Sequence, residues 1–141
     1  NASDNDGNAA TAVSSTYTID TVPPTLTVSS PSAGLITNKA ALTIKGVTND
    51  ATSSPITLTV TLNGTSLGTV SVGSDGSFSK DVTLVEGTNS IVVTAKDGAG
   101  QTSSITLSVK LDTTVPQLNS IVLTPNPANT SASVAITVEV S

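Results

Sequence analysis

Residues 86–116 read EGTNSIVVTAKDGAGQTSSITLSVKLDTTVP, and this stretch decides the fold. Ile105, Leu107, Val109 and Leu111 alternate with Thr106, Ser108 and Lys110, while Ile91, Val93 and Ala95 share one parity before them. A period of two marks a strand with one face on a core. Between the two runs, Asp97-Gly98-Ala99-Gly100 supplies residues that make Asx turns and tolerate a left-handed backbone. The stretch is therefore an antiparallel strand pair, and Asp112 to Pro116 form a stiffened exit. Two strands alone cannot bury their apolar face, so the rest of the chain must supply partners.

A degraded copy of the second half of this stretch opens the chain as ASDNDGNAATAVSSTYTIDTVPP, residues 2–24. Asp4 answers to Asp97, Gly7 to Gly100 and Asp20 to Asp112, an offset of about 92 to 93 residues, and Ile44 maps to Ile136 at the same distance. Self-similarity at a fixed period is the mark of a tandem array. The expected division is as follows: residues 1–19, the C-terminal strand of a preceding repeat; 20–24, a proline linker; 25–111, a complete domain; 112–116, a second proline linker; 117–141, the N-terminal strands of a following repeat. Within the first piece, Val13 to Ile19 are expected to extend as a strand. Opening inside a repeat, the chain is expected to be a piece of a longer array.

Within the complete repeat the strands come at sandwich-like spacing. Leu26 and Val28 mark the first, which Pro31 ends. Leu42, Ile44 and Gly46 share a face of the second, and Leu58, Val60 and Leu62 a face of the third. Asn63-Gly64 predicts a type I′ hairpin turn, which needs positive φ at both central residues. Leu67, Val70 and Val72 follow, then a turn at Gly73-Ser74-Asp75-Gly76, then Phe78, Val82 and Leu84 on an inner face. Lys80 breaks that parity and predicts either a bulge or a lysine that snorkels at an edge. No window carries a sustained 3.6-residue stripe, so the fold class is all-β: a Greek-key sandwich of about seven strands.

Composition narrows the function classes. Apolar residues make up 36% of the 141, aromatics 1% and charged residues 11%, while Ser and Thr supply about a third. The net charge of −5 and five scattered lysines exclude a phosphate-binding patch. With no His and no Cys, the usual proton carriers near neutral pH are missing and no enzyme activity is expected. No apolar run approaches the length of a membrane span.

The motifs LNG at Leu62 to Gly64, DGSF at Asp75 to Phe78, LVEGTN at Leu84 to Asn89, IVVTAKDGAG at Ile91 to Gly100 and DTTVP at Asp112 to Pro116 together resemble the bacterial immunoglobulin-like repeats, most closely the subgroup typified by domain B of glucodextranase. The resemblance covers most of the complete repeat. One position departs from it: the usual Gly-Asn of the last hairpin turn is Gly100-Gln101, whereas Gly7-Asn8 keeps it. The resemblance implies an immunoglobulin-like sandwich in a secreted or cell-surface setting, where such repeats serve as spacers, adhesin stalks and accessory modules of secreted enzymes.

The sharpest candidate site is one calcium ion between domains. In a head-to-tail array the incoming linker lies beside the turns of the domain it enters, placing Asp20 near Asp50, Asp75 and Asp97, with Asn49 able to add a carbonyl. Asp20, Asp50 and Asp97 are the first choices, and flexible turns rich in oxygen suit a hard cation. At the opposite end Asp112 could meet Glu86. The competing reading is that each Asp makes an Asx turn or caps its own loop. No cofactor is required by either reading. Asn89 shares parity with the core residues around it and is expected to tie the corner after Glu86-Gly87 to nearby backbone; Asn63 and Gly64 are structural turn residues. Sugar sites on sandwiches use exposed aromatic faces, and here only Tyr17 and Phe78 exist, Phe78 reading as core.

The expected function is a structural repeat of an extracellular fibre, surface protein or adhesin stalk. Neighbouring copies are the expected partners, joined head to tail in the same chain or by strand exchange between chains. No nucleic acid and no membrane span are expected. The alternative is an accessory or carbohydrate-binding module of a secreted glycan-active enzyme.

Overall fold

The structure, a computed structural model, describes residue 6 and residues 15–17, 19–50 and 55–118. Eight strands run from Thr25 to Leu111: β1 (Thr25–Ser30), β2 (Ile36–Thr37), β3 (Ala41–Asn49), β4 (Thr57–Leu62), β5 (Thr65–Val70), β6 (Ser77–Thr83), β7 (Gly87–Lys96) and β8 (Thr102–Leu111). They form a three-stranded sheet in the order β1-β3-β6 and a five-stranded sheet in the order β2-β8-β7-β4-β5. The result is an immunoglobulin-like β-sandwich, all-β as the sequence predicts. No helix occurs among the described residues, so none is long and apolar enough to cross a membrane.

The alternating faces meet between the sheets. Ile44 from one sheet packs with Leu58, Val60, Ile91, Val93 and Val109 from the other, all essentially without solvent contact. Val70, Phe78, Val82, Leu84, Ala95, Leu107 and Leu111 complete this core, each Leu, Val or Ile contributing roughly 1.5–3 kcal/mol by leaving water. The decisive strand pair of the sequence is β7 with β8, in unbroken antiparallel register from Gly87↔Leu111 to Lys96↔Thr102.

The β4–β5 hairpin turns through Asn63 and Gly64 with φ of 51° and 81°, the doubly positive geometry that this dipeptide favours. One element is additional to the expected seven: β2, which pairs in parallel with β8 through Ile36 and Thr37. Val72 contributes a single bridge to Phe78 instead of extending β5. At Lys80 the register of β3 with β6 continues without interruption, so no bulge forms there. Lys80 keeps the inward parity of Phe78 and Val82, and its ammonium donates a hydrogen bond to the Leu67 carbonyl of β5 at 3.1 Å. It thus spans the gap between the two sheets at their β5–β6 margin, the snorkelling alternative.

The expected strand from Val13 to Ile19 is represented by residues 15–17 and 19, none of which is in a strand. Tyr17 and Ile19 are exposed. The rest of that stretch, most of the leading copy and, of the strands expected in residues 117–141, everything from residue 119 onward lie outside the described residues.

Candidate functional site

The strand directions divide the sandwich into two ends. The incoming end holds the start of β1, the turn between β7 and β8, the end of β3 and the turn before β6; the outgoing end holds the β4–β5 turn, the corner before β7 and the exit from β8.

At the incoming end the linker before β1 is fastened down. Pro24 is buried, and its carbonyl accepts a hydrogen bond from the Ser103 hydroxyl of β8 at 2.6 Å. Upstream, Asp20 makes an Asx turn, its Oδ1 accepting from the Val22 amide at 3.0 Å. This anchoring delivers Asp20 to two further acids. Asp50 follows the last residue of β3, and Asp97 follows the last residue of β7. A carboxylate oxygen from each of Asp20, Asp50 and Asp97 lies within 4.8 Å of the other two. Asp20 and Asp50 are half-buried, whereas Asp97 is only 5% exposed. Oδ1 of Asp97 accepts from the Gln101 amide at 2.8 Å, closing the β7–β8 turn. Its Oδ2 is sealed from solvent and accepts no hydrogen bond among the described residues. Carboxylates so close repel one another when ionised.

The other candidates of this end hold partners of their own. Asp75 is not in the group; its Oδ1 accepts from the Ser77 amide at 3.0 Å and from the Ser77 hydroxyl at 2.7 Å. The Ser77 hydroxyl, and then its amide, hold the Asp75 carboxyl below its ordinary value. The local-turn reading therefore describes Asp75, because a serine two residues on offers two donors. The Asn49 carbonyl accepts a 2.8 Å hydrogen bond from the Thr25 hydroxyl across the β1–β3 pair.

At the outgoing end Asp112 and Glu86 each hold partners of their own. Asp112 pairs with Lys110 at 3.0 Å and accepts from the Thr114 amide at 3.2 Å. Lys110 and Asp112 are two residues apart in an extended chain, so their side chains project on the same side. Glu86 instead takes Thr113, accepting from its hydroxyl at 2.8 Å and its amide at 3.3 Å. Beside them Asn89 is fully buried, and its amide is saturated. Oδ1 accepts from the Val85 amide at 2.9 Å and from Asn63 Nδ2 at 3.1 Å, while Nδ2 donates to the carbonyls of Val85 at 2.7 Å and Gly87 at 3.0 Å. Asn63 Oδ1 in turn accepts from the Ser90 amide at 2.8 Å. Two asparagines thus bolt the β4–β5 turn to the corner before β7, a link the parity of Asn89 signals but whose partner Asn63 it does not.

An open cleft of about 580 Å³ between the sheets is lined by Leu42, Leu62, Leu67, Lys80 and Val82 among others, and no aromatic ring faces it. Phe78 is 5% exposed and belongs to the core; Tyr17 lies on the leading segment. The sandwich therefore presents no aromatic platform for a sugar ring.

Comparison with known proteins follows the same outline. The family model of glucodextranase, domain B, matches residues 24–113. No curated protein matches the chain. Among solved structures, the fibronectin(III)-like modules of Clostridium thermocellum CbhA superpose with a TM-score of 0.52 at 18% identity, over 64% of this chain and 47% of theirs. An engineered protein gives a TM-score of 0.45 at 23% identity, over 63% of this chain and 20% of its own. This chain thus spans less than half of either structure.

Proposed function

Because the chain belongs to the glucodextranase domain B family, we propose that it acts as a non-catalytic, extracellular structural repeat that joins its neighbours head to tail. The observation that carries this reading is the pair of matching linkers at opposite ends of one sandwich. Asp20-Thr21-Val22-Pro23 and Asp112-Thr113-Thr114-Val115-Pro116 each begin with an aspartate whose Oδ1 accepts from the amide two residues on. Each is also tied to the sandwich, the first through Pro24 and Ser103, the second through Thr113 and Glu86. Linkers held in this way keep the chain direction from one unit to the next, which a spacer needs. Neighbouring copies of the same repeat are the partners, and strand exchange between chains is a second route to the same contact.

The experiment is small-angle scattering on a protein of two consecutive copies joined by Asp112–Pro116. A maximum dimension about twice that of one copy is expected; two units folded back side by side would refute the array.

A second reading is an accessory module of a carbohydrate-active enzyme, and the family's name supports it. It would need sugar contacts other than aromatic stacking. Affinity electrophoresis in dextran separates the two readings: unretarded migration favours the spacer, and retardation favours the accessory module.

A further inference from the structure

We propose that Asp20, Asp50 and Asp97 bind one calcium ion, which clamps the incoming linker to the sandwich. Oxygens that share an ion at about 2.4 Å can stand no more than about 4.8 Å apart, and the three carboxylate oxygens satisfy that bound. The second observation is Asp97 itself. Its side chain is 95% withdrawn from solvent, one oxygen is spent on the Gln101 amide, and the other is buried without a hydrogen bond beside two more carboxylates. An acid in that position lacks the partner that buried polar groups ordinarily have. A cation supplies it.

The donor set specifies the class of ion. It is all oxygen, in a chain with no His and no Cys, which selects a hard cation over zinc or copper. The three acids come from separate segments, a linker, a strand end and a hairpin turn. Such an irregular set suits calcium, which takes six to eight oxygens in flexible geometry, better than the near-ideal octahedron of magnesium. Two of the three side chains are half-open to solvent, so water can complete the shell. A divalent ion facing three formal negative charges also offsets most of the mutual repulsion of the carboxylates. The ion requires only this chain; its effect on the shape of an array rests on the head-to-tail reading.

The test is calcium titration of the full 141-residue chain, stripped with EDTA and dialysed, followed by calorimetry and thermal melts. One saturable ion per chain is expected, with a rise in melting temperature that excess EDTA reverses and with shifts of the Val22 and Gln101 amide resonances. Asp97→Asn and Asp20→Asn should each weaken binding by at least about tenfold, and Asp75→Asn should leave it unchanged. If Asp97→Asn fails to fold, Asp20→Asn decides alone, since Asp20 lies outside the strands. Absence of binding heat with identical melts in calcium and EDTA overturns the proposal. So does equal affinity for magnesium, or an equal loss in Asp75→Asn. Tandem copies that fold side by side while calcium still binds would sink the array and spare the ion; extended copies indifferent to calcium would do the reverse.

Discussion

The two ends of the sandwich receive nearly the same linker and treat it in opposite ways. At the outgoing end the side chains of Asp112 and Thr113 both have protein partners: Asp112 has Lys110 and the Thr114 amide, and Thr113 has Glu86. At the incoming end the equivalent aspartate, Asp20, is brought against two acids, one of which keeps a buried oxygen without a hydrogen bond. Sequence identity in a linker therefore does not determine its electrostatics. The surface it docks on does. One end is self-sufficient, and the other is built around a shared negative charge.

The hardest blow to this contrast should come from Asn89→Leu. It strips partners from the Val85 amide and carbonyl, the Gly87 carbonyl and Asn63 Nδ2, and should cost about 3 kcal/mol in a urea or guanidinium titration. The loss should be the same in calcium and in EDTA, because the proposed ion sits at the opposite end of the sandwich. A smaller loss is expected at the incoming end from Gly76→Ala. Gly76 sits at a φ of +80° and any Cβ there meets the Thr48 carbonyl, so about 2 kcal/mol is expected from strain and displacement. Thr48 is buried, donates its hydroxyl to the Thr25 carbonyl at 2.7 Å and its amide to the Gly76 carbonyl at 2.9 Å. Loss of amide protection at Thr48 would locate the damage.

The smallest effect sharpens the contrast by sign. The Asp112 carboxyl is held below its ordinary value of 3.8, first by the hydrogen bond from Lys110, then by the Thr114 amide and the charge of Lys110. A depressed value in the folded state means that the interaction stabilises above the unfolded value and is lost as pH falls through the lower, folded one. The urea midpoint of Asp112→Asn should therefore lie slightly below that of the parent at neutral pH. The two should converge well below pH 3.8. A constant gap across that range would show that the charge contributes nothing.

Much of this was legible in the residues. The alternation in β7 and β8, the Asn63-Gly64 turn and the closeness of Asp20, Asp50 and Asp97 follow from periodicity, turn chemistry and the repeat of the linker. What escaped was decided by competition over short distances. Asp75 was expected near the acidic group, yet Ser77 satisfies it locally, and the run Asp75-Gly76-Ser77 held that signal. The Lys110–Asp112 pair is a contact between residues two apart that the reading of the linker overlooks. Strand β2 is two residues long, too short to display any period, and exists because β8 offers it an edge. The Asn63–Asn89 contact joins residues 26 positions apart, a distance that no local pattern spans.

Lys80 has a consequence for assembly. Strand β6 is one of the two margins of the smaller sheet, and a bare margin is a template on which another chain can zip up sideways. A lysine turned inward in the middle of that strand, with its ammonium held by the Leu67 carbonyl, would have to be stripped of that bond and left in a dry seam if a foreign strand covered the gap. The cost falls on lateral stacking alone. Sideways growth of the sheet at this edge is thereby disfavoured.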